Sequence, residues 1–154
     1  MIKVNVIVGD KIWKKYVKKP DVYLKDKIKI IKNKDLFFKK KDLEFSLLLS
    51  NSVEIRKLNK KFRKINKTTD VLSFPFYEKN FLLARLKKKT PTYLGDIVIN
   101  LSKVEGKSTK ELFEENFNKL WIHGFLHLLG GRHKLNRDYL SMQKQEIKYL
   151  TMLN

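Results

Sequence analysis

Ile2, Val4, Val6 and Val8 alternate with polar or lone apolar neighbours, the period of a β-strand with one buried face. A second alternation in "DLEFSLLLS" turns Leu43, Phe45, Leu47 and Leu49 inward and predicts another strand. Between them, residues 21–33 mix apolar residues and lysines at helical spacing, with Pro20 and Asp21 as the start. In "NSVEIRKLNKKFR", Ile55, Leu58 and Phe62 share a helical face, Asn51 is the cap and Glu54 supports it. "VLSFPF" predicts a third strand that Pro75 ends or places at an edge. Residues 78–93, rich in lysine and containing Pro91, read as a loop, and "GDIVIN" as a fourth strand. "STKE" then forms a capping box, Ser108 at the cap and Glu111 three residues on. It opens the longest helix, along which Phe113, Phe117, Leu120, Gly124 and His127 recur every three or four residues. Gly130-Gly131 ends that helix, and a last one covers about 136–152 with Asn136 as its cap. The order β, α, β, α, β, β, α, α predicts an α+β fold: one mixed four-stranded sheet packed with helices. The 154 residues, with no repeat or linker, suit a single domain spanning 1–154.

Composition narrows the chemistry. The absence of cysteine excludes disulfides, thiolate ligands and cysteine nucleophiles. The apolar run at the N-terminus is too short for a signal peptide, and no stretch approaches a membrane span, so a cytoplasmic protein without a membrane partner is expected. Thirty-five Lys+Arg against 16 Asp+Glu give a formal charge of +19, a field that concentrates polyanions and points to nucleic acid. The lysines are scattered, and their excess over arginine is also what AT-rich coding produces; charge alone is suggestive.

All three histidines fall in "HGFLHLLGGRHK". His123 and His127 lie one helical turn apart, about 40° around the axis, so both imidazoles reach one ion. In a continuing helix His133 would be displaced by about 9 Å more, too far for a shared ion, and Gly130-Gly131 supply the place to turn back. A lone histidine on the stripe of His127 would read as a hydrogen-bonded core residue; three with a glycine turn, and none elsewhere, read as a zincin-like metal site. Neutral imidazoles without thiolate suit one zinc ion or another divalent transition metal, with no small-molecule cofactor. Three protein ligands leave a fourth position open for water, the catalytic pattern, and the ion lowers that water's pKa to about 7. The position after His123, where a metal protease carries its glutamate base, is Gly124. Such a glycine serves either packing or room beside the ion, and it disfavours peptide hydrolysis.

"HGFLHLLGGRH" resembles the H-G-x-L-H-L-x-G-x-x-H signature of the YbeY endoribonuclease family of rRNA maturation factors. "LNKKFRKINKTTDVLSFP" (Leu58 to Pro75) and "LGDIVIN" (Leu94 to Asn100) agree in sequence and order, and Met142 and Glu146 resemble the family's C-terminal helix. The resemblance covers roughly residues 40–150; the first forty contribute little. It implies a single α+β domain with a zinc-like ion on His123, His127 and His133. It also implies metal-dependent cleavage of single-stranded RNA, a role in 16S rRNA 3′-end maturation and ribosome quality control, and ribosomal RNA and the small ribosomal subunit as partners. The family's functional arginine falls on Arg63, whose fork can grip a phosphate and offset charge developing on it; by position alone Arg63 is equally a helix-end arginine.

Asp70 and Asp96 could each orient a ligand histidine, but a turn cap and a strand start are the readings preferred for them; Thr69 likewise reads as a turn hydroxyl. The chain departs from the family at three places. Arg132 stands where many members carry an aspartate, Gly131 replaces a usual aromatic, and Thr68 replaces a common proline in a turn expected to be looser. The rival readings are a non-catalytic ribosome-assembly factor with a structural metal and, more weakly, a zincin-like metallopeptidase with its base elsewhere.

Overall fold

The computed structural model describes all 154 residues. Its sheet contains β1 (Ile2–Val8), β2 (Leu43–Ser50), β3 (Val71–Pro75) and β4 (Thr92–Asn100) in the spatial order β1-β2-β4-β3. β1 pairs parallel with β2 and β2 parallel with β4, whereas β3 runs antiparallel along β4 as an edge strand. Around the sheet lie α1 (Pro20–Lys34), the single turn α2 (Leu36–Lys39), α3 (Ser52–Arg63), α4 (Lys79–Lys87), α5 (Lys110–Leu128) and α6 (Asn136–Leu153). The mixed sheet and α+β class expected from the patterns are present.

Strand alternation decides which helix goes where. Phe45, Leu47, Ile97 and Ile99 join the main core with α1, α5 and α6, while Leu72 and Val98 point to the opposite face and enclose Ile55 of α3. α3 is thus the helix across the sheet from the histidines, and its C-terminus comes round the edge strand toward them.

Three local expectations change. Residues 78–93 are not all loop: Lys79–Lys87 form α4, because Leu82 and Leu86 sit one turn apart and are both buried. Interspersed lysines and nearby Pro91 mask that two-residue stripe. α5 is capped by Thr109, whose Oγ1 accepts the Leu112 N–H at 3.2 Å, one residue after Ser108. The Gly106 turn lies directly against Leu112, and that packing favours the later start. Asn136 is the first residue of α6, not its cap; Leu135 holds that position without a side-chain bond, and Asp138 puts negative charge in the first turn.

One buried carboxylate fastens α6 to the body. Asp35 caps α2 through the Phe37 N–H and accepts hydrogen bonds from Lys148 Nζ at 2.8 Å and Tyr149 Oη at 3.0 Å. Burial alone would raise the Asp35 pKa, but these bonds and the Lys148 charge outweigh it and hold the carboxyl below its usual range.

Candidate metal centre

α5 lies flush on the sheet at the level of the histidines. A Cβ at Gly124 would stand 2.7 Å from Ile97 Cγ2 and 3.2 Å from Ser73 Oγ. The glycine therefore serves packing, and a side chain at 124 would enter the sheet, away from any substrate. His123 and His127, on the next face of α5, are left half-buried at its open side.

α5 ends where expected. Gly130 adopts φ +93°, a conformation that favours glycine, and the Gly131 N–H donates to the Leu126 carbonyl at 2.9 Å. The chain reverses and returns His133 over the other two rings, with ring centroids 5.0 Å from His123 and 4.5 Å from His127. One ring nitrogen from each of the three lies within 4.8 Å of the others. The structure thus brings His123, His127 and His133 together.

The outer nitrogens are occupied. His123 Nδ1 contacts Glu146 Oε1 at 2.5 Å, and His127 Nδ1 donates to the Gly131 carbonyl at 2.9 Å. In the neutral tautomers that donate from Nδ1, the two Nε2 lone pairs face each other at 3.1 Å. Two lone pairs that close repel unless a cation or proton sits by them. Zinc–nitrogen bonds of about 2.0–2.1 Å give a tetrahedral edge of roughly 3.3 Å, so the spacing fits two ligands of one ion. Burial lowers the His127 pKa; the Gly131 carbonyl and Glu146 work against this and the neighbouring rings add to the lowering, a net shift toward the neutral form that metal binding requires. Met142 Sδ lies 3.1 Å from His133 Nε2 and supports the third ring from α6.

Glu146 is the orienting carboxylate that residue-by-residue reading did not assign. Asp70 accepts from the Val71 N–H and from Thr69 Oγ1, so its turn role holds, whereas Asp96, which accepts from Tyr93 Oη at 2.7 Å, lies inside β4 rather than at its start, because the strand already begins at Thr92. The available signal was the stripe Met142, Glu146, Tyr149 at one- and two-turn spacing: a carboxylate between two buried residues on one helix face.

The histidines floor an open cleft of about 640 Å³, whose opposite wall carries Arg63, Asp70 and the end of β3. Arg63 is exposed and has no ion-pair or hydrogen-bond partner in the protein. Its backbone, however, is firmly mounted. α3 terminates in the left-handed Lys64 (φ 61°), and buried Asn59 accepts the Lys64 and Ile65 N–H groups on its carbonyl while its Nδ2 donates to Lys67 O at 2.9 Å. Asn100, fully buried at the end of β4, donates to Ser52 Oγ, Thr68 Oγ1 and Thr69 O at 3.0, 3.1 and 3.1 Å. Thr68 therefore makes the bonds that a proline there could not, and the turn is pinned. Arg132, Lys79, Glu78, Pro75 and Phe76 also line the cleft.

Comparison with known proteins agrees with this architecture. The family model described as Endoribonuclease YbeY matches residues 11–154, reaching well into the first forty residues. A protein of Pelagibacter ubique named Endoribonuclease YbeY is 42% identical over 149 residues, covering 95% of this chain and 92% of its own length. A Synechocystis protein of the same name is 34% identical over 113 residues, covering 71% of this chain and 63% of its own. The solution structure of a Thermotoga maritima protein superposes with a TM-score of 0.58 at 26% identity, over 99% of this chain and 89% of that one.

Proposed function

The chain belongs to the YbeY endoribonuclease family, and from that premise we propose that His123, His127 and His133 hold one divalent metal ion, zinc by ligand type, for the cleavage of single-stranded RNA. The protein is an endoribonuclease, a hydrolase of rRNA processing. The 3′ end of 16S rRNA is the proposed substrate, met on the small ribosomal subunit in the cytoplasm, and residues 1–154 act as one unit. No helix is long and apolar enough to cross a membrane.

The observation that carries this reading is the convergence of three histidine nitrogens within 4.8 Å, two of them 3.1 Å apart, in a cleft that also presents an unpaired arginine. An ion held there supplies Lewis acidity toward a phosphoryl oxygen and lowers the pKa of water. The protein's own groups do the rest. Glu146 fixes the ring plane and tautomer of His123, and the Gly131 carbonyl does the same for His127. The Arg63 guanidinium engages the scissile phosphate and offsets the charge that builds on it during cleavage. Lys79 and Arg132 add charge along the path of the strand, and the wider +19 surface supplies affinity that falls steeply with salt. Gly124, facing the sheet, leaves no room for a protease glutamate at that position.

The test is cleavage of a single-stranded RNA ending in a 16S-like 3′ tail, by wild type and His127→Ala purified identically, with metal content measured on both. Cleavage and metal lost together in the variant is the expected result. Equal cleavage by both would expose a contaminating nuclease. Metal held by the wild type without cleavage, on free RNA and on ribosomes, would favour the assembly-factor reading.

A further inference from the structure

Phe76 is 63% exposed, yet it does not stand on a mobile loop. Its N–H donates to the Leu94 carbonyl at 2.9 Å, immediately after the Pro75–Gly95 pair that closes the β3–β4 ladder. The strands are pressed together there: a Cβ on Gly95 would lie 2.1 Å from the Phe74 oxygen, so only glycine, at φ +132°, allows the approach. The ring meets Tyr77 and Tyr93 nearly perpendicularly, at 79° and 77°, with centroids 4.9 and 5.7 Å away. No protein ring stacks parallel on it. This rigidly mounted, half-unused aromatic surface is part of the wall of the cleft that also holds the three histidines, Arg63, Lys79 and Arg132.

We propose that Phe76 stacks on a nucleobase of the bound strand and is the residue through which the cleft selects single-stranded RNA. The inference rests on the proposed nuclease reading. Exposed aromatics beside cations are how proteins hold unpaired nucleic acid: the cations take the phosphates and the ring takes the π-face of a base, whatever the base is. A paired base, stacked between its neighbours, cannot offer that face. The lining of the cleft offers both halves of this division, cations and histidines for phosphates and Phe76 for a base. Phe81, 70% exposed, is outside the cleft and serves as a control for apolar exposure alone.

The experiment measures fluorescence anisotropy of two tagged oligomers of equal length and charge, single-stranded oligoadenylate and an abasic ribose-phosphate chain. Both bind the full chain, and their integrity is checked on a gel after each titration. The wild type is expected to favour oligoadenylate about tenfold, the order of one base–aromatic stack. Phe76→Ala removes that preference with abasic affinity unchanged, which also shows that the variant is folded; Phe76→Trp and Phe81→Ala keep it. If Phe76→Ala loses abasic binding as well, Phe76→Leu takes its place in the same comparison. An undiminished preference in the folded variant overturns the inference alone. Loss of the preference in a protein that cleaves no RNA overturns the nuclease reading and leaves the stacking site standing. Failure of the wild type to bind either oligomer at low salt overturns both.

Discussion

The two walls of the cleft are built on different principles. On the α5–α6 wall the functional atoms themselves are set: every histidine has a partner at its outer edge, in Glu146, the Gly131 carbonyl or Met142. On the α3–β3 wall only the mount is set. Asn59 and Asn100 hold the backbone on either side of the turn, and the Arg63 side chain is free at its end. The difference follows from what each wall must meet. Metal–nitrogen distances tolerate deviations of only about 0.2 Å, so the rings proposed to hold an ion need to be pre-aimed. Under the proposed function a phosphate on a flexible strand would move toward the guanidinium, so reach and orientation of the base of the side chain would suffice.

Substitutions on the two walls should therefore separate metal binding from catalysis. Arg63→Ala is expected to lower kcat by about 10²–10³-fold, the scale of losing one charge-stabilising donor, with metal content by mass spectrometry unchanged. Arg63→Lys restores little, because an ammonium lacks the two-pronged fork. Equal loss of metal in Arg63→Ala would erase the division between the walls. Glu146→Gln works from the opposite side: metal affinity, read by competition with a chelating dye, should fall about 10- to 100-fold, and saturating metal should recover most of the cleavage.

Asn100→Ala tests the mount. It strips donors from Thr68 and Thr69 and an acceptor from Ser102, and a loss of roughly 1–3 kcal/mol in urea unfolding is expected. Metal affinity should hold while kcat/KM falls, since the turn that follows Arg63 is what loosens. The smallest effect concerns acid. Asp35 has a depressed folded pKa, so its contribution to stability is present above the ordinary carboxylate value of about 3.9 and fades as pH falls through the lower, folded value. Urea midpoints of wild type and Asp35→Asn should accordingly differ at pH 6 and draw together as the pH falls below the ordinary carboxylate value. A constant gap would mean that Asp35 acts by shape alone.

The same division explains what could be read from the sequence. The strands with clean alternation were legible because one face is buried and the period is fixed. The meeting of the three histidines was legible because their spacing must satisfy a helix and a turn at once. Glu146 was not assigned because it meets His123 from a helix 23 positions along the chain, and nothing local marks which carboxylate a fold will deliver. Asp70 and Asp96, nearer in sequence, proved to be turn and strand residues. α4 was lost for the opposite reason: two buried leucines are a weak stripe among lysines. Arg63 could be placed on a helix end by pattern, but its position across the cleft from the histidines depends on how α3 passes the edge strand, which only the assembled sheet determines.

Gly124 also bears on where this scaffold can go. Glycine and glutamate are a single nucleotide apart, so the step from "HGFLH" to the protease-like "HEFLH" is short in genetic distance. Ile97 makes it long in every other sense: the newcomer would have to displace the centre of the sheet before it could approach a ligand. Selection for peptide hydrolysis would need compensating changes in β4 first, each made before any benefit. The contact of one helix backbone with one isoleucine methyl group thus acts as a ratchet, holding this position closed to the protease-like sequence.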